Sequence, residues 1–262
     1  MQMLDLIPTA PFGSRRLSVI ALKAQRAVRN CPAGTSTHKW KTFRHICEAK
    51  VALGLSDRAL GILNALLSFH PETNLVSGGR NLVVFPSNRE LALRANGLAA
   101  STLRRHLALL VDTGLIVRRD SPNGKRYARK TAAGEIERAF GLDLSPLVVR
   151  AKELAGLAAA ITRDRHAAAM LREQITVARR DVAKMIAMGI EQGVEADWPQ
   201  LHQAFRQLLD RRAGQQSLQT LEELGAELTT MADHIRTILE SQLQVVDPVE
   251  TSTRDDRSPC KD

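Results

Sequence analysis

Apolar residues along this chain recur mostly three and four apart, and short extended runs are confined to its first half. Between Ser14 and Asn30, Leu17, Val19, Ile20, Leu22 and Val28 alternate with Arg and Lys and predict a helix, which Cys31-Pro32-Ala33-Gly34 breaks. A basic amphipathic helix is predicted from Lys39 to Ala49, with Trp40, Phe43, Ile46 and Cys47 on one side. The next helix takes Ser56 as N-cap, carries Leu60, Leu63, Leu66 and Leu67 between Asp57 and Phe69, and stops at His70-Pro71. Leu82-Val83-Val84-Phe85 reads as a short strand. Ser87-Asn88-Arg89-Glu90 is a capping box, and the short helix it opens ends at Asn96-Gly97, where a positive φ costs little. Ser101 is expected to cap a second helix that runs to Thr113-Gly114. Leu115-Ile116-Val117 then predicts a strand, Ser121-Pro122-Asn123-Gly124 a hairpin turn, and Lys125 to Arg129 the returning strand.

Beyond Lys130 the pattern turns wholly helical. Ser145-Pro146 predicts cap and first position of a segment reaching about Met188, interrupted by Gly189 and Gly193. Asp197 is expected to cap a helix with Leu201, Phe205, Leu208 and Leu209 on one face, ending near Arg212-Ala213-Gly214. The last helix covers Leu218 to Val245. Its Leu221, Leu224, Leu228, Met231, Ile235, Ile238 and Val245 follow a seam that polar Gln242 interrupts. That seam fits either a coiled-coil homodimer or packing back on the preceding helices.

Helix, glycine turn, helix, then basic hairpin is the order of a winged helix-turn-helix. With aromatics at only 3%, the composition also favours helix over sheet. The predicted fold class is mainly α, a winged helix-turn-helix domain followed by an all-helical domain. The expected divisions are a basic flexible segment at 1–38, the winged domain at 39–135, a helical domain at 136–214, a long helix at 215–246 and a disordered tail at 247–262.

Charge sharpens this picture. The net charge of +9 is unevenly spread: residues 14–130 hold 21 Lys and Arg against 6 Asp and Glu, whereas residues 131–262 hold 16 against 21. A basic half joined to an acidic half suggests a module for a polyanion. Placed at about 100° per residue, Leu103, Leu107, Leu110 and Val111 share one side of the 101–113 helix. Ser101, Thr102, Arg105 and Asp112 fall opposite, Arg104 and His106 on the flanks, and Leu109 also on the free side. A recognition helix needs this division, because an arginine that enters the major groove can make two hydrogen bonds to guanine. Arg118, Arg119, Lys125, Arg126, Arg129 and Lys130 crowd the hairpin against Asp120 alone, a density that a phosphate partner would relieve. These residues are the candidate contacts to double-stranded DNA. Lys39, Lys41 and Arg44 fit a second phosphate contact, or equally the wet face of a core helix.

Enzymatic readings find no footing in the motifs. Gly124-Lys125 lacks the earlier glycine of a Walker loop, position 119 being Arg, and has Arg126 where Ser or Thr belongs. The seven His form no His-x-His or H-E-x-x-H, and Cys31, Cys47 and Cys260 have no metal-site spacing. No cofactor, no metal and no catalytic residue is therefore expected. The absence of an apolar run of about 18 residues predicts no membrane segment, and a cytoplasmic location is expected.

Several blocks carry a resemblance. Lys39-Trp-Lys-Thr-Phe-Arg-His-Ile-Cys47, Ser56-Asp-Arg-Ala-Leu60, Leu67-Ser-Phe-His-Pro-Glu72, Val84-Phe-Pro-Ser-Asn-Arg89 and Thr102-Leu-Arg-Arg-His-Leu107 resemble the RepC replication initiators of repABC-type plasmids. So do Arg118-Arg-Asp-Ser-Pro-Asn-Gly-Lys-Arg-Tyr127, Gly141-Leu-Asp-Leu-Ser-Pro-Leu147 and Arg179-Arg-Asp-Val-Ala-Lys-Met-Ile186, spread over roughly residues 11–212. The resemblance implies origin binding within the initiator's own coding sequence, with host replication proteins, helicase and polymerase, recruited rather than encoded. It also implies a further C-terminal region, so the expectation is a truncated or frameshifted member. Apart from the resemblance, the motif fits a winged-helix transcriptional regulator equally well.

Overall fold

Local capping signals set the first elements. The computed structural model describes residues 19–78, 82–122, 124–131, 136–210 and 217–246. The expected lead-in at 1–13, Asn123, Arg212-Ala213-Gly214 and the tail from Asp247 lie outside the described residues, as do the side chains of Lys130, Gln242 and Val245. Helix α1 spans Val19–Arg29, α2 Lys39–Glu48 and α3 Asp57–Phe69. The His38 ring accepts the Lys41 amide at 3.3 Å to start α2, and the Ser56 hydroxyl accepts the Ala59 amide at 3.2 Å to start α3. Two three-residue strands, β1 (Ser36–His38) and β2 (Asn74–Val76), pair antiparallel around this helix pair.

The capping box forms as the sequence requires. In α4 (Asn88–Arg94) the Ser87 hydroxyl accepts the Glu90 amide at 3.1 Å, and the Glu90 carboxylate accepts the Ser87 amide at 2.8 Å. The bond from the Ser87 amide holds the Glu90 carboxyl below its ordinary pKa. Asn96 (φ 64°) and Gly97 (φ 72°) then turn the chain through the left-handed region into α5, Ala100–Asp112. The start of α5 differs from the expectation. Its N-cap is Ala99, with no side-chain hydrogen bond, and Ser101 lies exposed in the first turn. The amides of Gly97 and Leu98 both close on the Ala92 carbonyl, a tight turn that re-enters helix two residues early.

The sheet departs further from the sequence reading. Strand β3 is Val83–Val84, β4 Val117–Arg119, β5 Tyr127–Lys130 and β6 Ile136–Asp143. Ser121 to Gly124 does turn, with the Gly124 amide on the Ser121 carbonyl at 3.1 Å, but β5 does not return along β4. Instead β6, in a stretch expected to be helical, pairs antiparallel with both. Its last residues take β3 through Leu142 and Asp143 and β4 through Gly141 to Asp143, while Ile136 to Phe140 carries β5. Gly141 is what lets the strands close. A Cβ there would sit 2.3 Å from the Val84 carbonyl oxygen and 3.2 Å from the Phe85 Cα. Ile46, Leu63, Leu66, Leu91, Leu103 and Leu142 are among the side chains that fill the core these elements share.

Next come α6 (Ser145–Val149) and α7 (Ala151–Glu191), broken at Arg150 rather than continuous from Ser145. Leu144, not Ser145, is the N-cap of α6. Helix α7 runs through Gly189 and ends before Gly193, whose φ is 66°. The chain divides into two compact units, Met1–Thr162 and Arg163–Asp262. In the second, α8 (Trp198–Asp210) begins at the Asp197 cap and α9 spans Leu218–Val246. Leu221, Leu224, Leu228 and Ile235 of α9 are buried with Ile175, Val182 and Ile186 of α7 and Phe205 of α8. The α9 seam therefore packs on its own chain. Among the described residues no helix is long and apolar enough to cross a membrane.

Replacing Gly141 by Ala is expected to force β3 and β6 apart and cost about 1–3 kcal/mol, read as a lower urea midpoint with an unchanged slope.

Candidate nucleic-acid interface

Helix α5 presents two unlike sides. Leu103, Leu107 and Leu110 are buried in the first unit's core, and Ser101, Arg104 and Arg105 are exposed, with Thr102 half-buried between them. Arg104 folds back along the helix, its Nε donating to the Ala100 carbonyl at 3.2 Å. Leu109, expected on the free side, is half-buried against the core instead.

His106 is the clear exception among the α5 candidates. It is 6% exposed, and its Nδ1 lies 3.2 Å from the Ser56 hydroxyl that caps α3. Burial, then the neighbouring Arg105 and Arg58, lower its pKa, which favours the neutral ring. Its Nε2 has no hydrogen-bond partner among the described residues. His106 thus ties two helices together and cannot reach a groove. At three residues from Leu103 and four from Leu110 it borders the apolar side, and the packing of α3 against it decides its burial.

The cations expected on the hairpin also sort into two groups. Arg119 donates from Nε and Nη2 to one oxygen of Asp143, at 2.8 and 2.7 Å, and Asp143 is 1% exposed. The other Asp143 oxygen accepts the backbone amide and the hydroxyl of Ser145. Arg126 donates to the Pro86 carbonyl at 3.1 Å, and burial followed by nearby Arg118 draws its pKa down, opposed by Asp120. Both arginines therefore brace the unit rather than face outward. Arg118 stands 3.6 Å from Asp120, half-exposed. Lys125 and Arg129 are exposed, and the backbone of Lys130 continues β5.

One exposed cation escaped the sequence reading. Arg138 of β6 is the register partner of Arg129, and like charges directly opposite across a strand pair repel. The signal lay in Ile136, Phe140 and Gly141, poor helix formers gathered in one short run. In the α2 patch, Lys41 and Arg44 are exposed, but Lys39 is buried. Its ammonium donates to the His70 carbonyl at 2.6 Å, and burial lowers its pKa. Lys39 is a strut under the patch. Among the described residues, no group of three His, Cys, Asp or Glu could hold a metal ion.

A family profile described as the replication protein C N-terminal domain matches residues 15–190. A curated protein of Sinorhizobium fredii (strain NBRC 101917 / NGR234) that carries the name replication protein C is 46% identical over 237 residues, 90% of this chain and 58% of the relative. Another of that name, from Rhizobium rhizogenes, is 46% identical over 232 residues, 88% of this chain and 57% of the relative. The chain thus spans less than two thirds of the length of these relatives. No solved structure matches it.

The buried His106 predicts a pH dependence with a definite sign. Its folded pKa lies below the unfolded value of about 6.5, so the unfolded chain binds the proton more readily. Stability from this site is whole above that pH and declines as pH falls through it. Urea titrations from pH 7 to 5 should show a smaller loss in His106→Asn than in the parent chain, and parallel losses would refute the assignment.

Proposed function

The chain belongs to the replication protein C family, and from that membership we propose that its first unit recognises double-stranded DNA at a plasmid replication origin. In this reading α4 and α5 are a helix-turn-helix, α5 enters the major groove, and the β5–β6 hairpin is a wing along the phosphate backbone. Bound there in the cytoplasm, the protein starts replication by recruiting host replication proteins. The observation that carries the proposal is the split character of α5. Arg104 and Arg105 stand exposed on a helix whose other side is fixed in the core, which pre-positions donors for base edges. The exposed Arg129 and Arg138, held opposite each other, supply the phosphate contacts, and their mutual repulsion falls when an anion sits between them.

Recognition and general affinity then belong to different residues. Arg105→Ala should lose discrimination between the target and unrelated duplex. Arg129→Ala should weaken binding to both alike and lower the slope of log K against log salt by about one. Arg119→Ala is expected to act on stability instead, through Asp143. A nuclease footprint over the surrounding gene tests the origin itself: protection within the coding sequence supports an initiator, and protection confined to a promoter favours a transcriptional regulator.

A further inference from the structure

Aromatic side chains are scarce in this protein, so where they gather carries information. The chain has six Phe, two Trp and one Tyr. Among the described residues, Trp40, Phe43 and Phe69 pack on the first unit's core, and Trp198 and Phe205 belong to the second unit's. Phe85 and Phe140 join neither core, and Tyr127 lies against Phe140 with ring centroids 5.1 Å apart and planes tilted by 45°. All three gather at β6: Tyr127 is the register partner of Phe140, and the backbone of Phe85 borders Gly141. Tyr127 and Phe140 are half-buried, and Phe85 is exposed.

Strand geometry puts two arginines beside these rings. Arg129 is two residues from Tyr127 and Arg138 two from Phe140, and side chains two apart on a strand share a face. Residues directly opposite across an antiparallel pair share it too. One face of the β5–β6 ladder therefore carries Tyr127 and Phe140 as one row and Arg129 and Arg138 as the next, about 6.6 Å along. Both arginines are exposed, and the Arg138 guanidinium carbon is 5.7 Å from the Phe140 ring centroid. Contacts to the phosphates of a duplex need only the cations, because the faces of paired bases are hidden in the stack. An unpaired strand offers both a line of phosphates and open π faces. Stacking on an aromatic ring accepts any base, and arginines beside the ring hold the backbone.

We propose that this face of the β5–β6 hairpin binds single-stranded DNA, with bases stacked on Tyr127 and Phe140 and phosphates held by Arg129 and Arg138. The proposal rests on the origin-binding reading above and deepens it. Helix α5 reads the closed duplex, and the hairpin takes up a strand released when the origin opens.

Binding of the full chain to a labelled oligothymidylate, and to a duplex from its own coding sequence, would be measured by anisotropy. The double variant Tyr127→Leu, Phe140→Leu keeps apolar bulk on the hairpin and removes the π faces. It should bind the single strand at least about fivefold more weakly and the duplex within about twofold of the parent. A parent chain that binds the duplex but not the oligothymidylate would overturn the stacking face and leave the origin reading standing. Binding of neither DNA would overturn both. Equal weakening on the two DNAs would make the rings a brace for the hairpin and overturn the proposal. Unchanged single-strand affinity would overturn it as well, and a changed sedimentation coefficient alongside would make the face a contact between copies. Irradiating the parent chain with an oligothymidylate that carries 5-iododeoxyuridine gives a test independent of the variant's folding. Crosslinks at Tyr127 or Phe140 are expected, and crosslinks confined to other residues refute the contact.

Discussion

The first unit is organised around one buried carboxylate. Asp143 ends β6, draws in Arg119 from β4, and fixes both the amide and the hydroxyl of Ser145 at the entrance to α6. A carboxylate this deep is tolerated only because both oxygens are filled, and losing one partner of such a pair costs about 3–5 kcal/mol. Arg119 keeps a third of its side chain in solvent, which places its own loss toward the low end. The tie has a topological effect as well. It anchors the far end of the strand that carries β5, so the basic hairpin extends from a fixed base.

Seen from that anchor, the cations of the basic half do two kinds of work. Arg119, Arg126 and Lys39 give their charge inward, to Asp143, the Pro86 carbonyl and the His70 carbonyl respectively. They hold the scaffold in place. Arg105, Lys41, Arg44, Lys125 and Arg129 keep their side chains in solvent, where a polyanion can meet them. Net charge alone overstates the cationic surface, since several of its members are structural.

How much was legible in the sequence follows from the range of the forces involved. The capping box of Ser87 and Glu90, the turn at Asn96-Gly97 and the caps at Ser56 and Asp197 were readable because each is settled within a few residues. The exposed placement of Arg105 was readable from helical period. The burial of His106 was not, because it depends on Ser56, fifty residues away, arriving opposite it. Strand β6 was missed for the same reason. Its eight residues owe their extended form to β3, β4 and β5, and to a glycine whose need appears only when the Val84 carbonyl is in place. The α9 seam left two packings open, and its Leu221, Leu224, Leu228 and Ile235 are buried with Ile175 and Phe205 of the same chain.

The hairpin has one more property. Only the final residues of β6 are flanked on both edges, so from Ile136 to Phe140 the backbone groups of one edge have no strand beside them among the described residues. A bare edge of that kind invites another chain to add itself, and charged side chains along it are the common natural deterrent. Arg138 lies on this stretch and Arg129 opposite it on β5, so a neutral replacement at both would remove electrostatic repulsion and make the hairpin adhesive toward other copies of the protein.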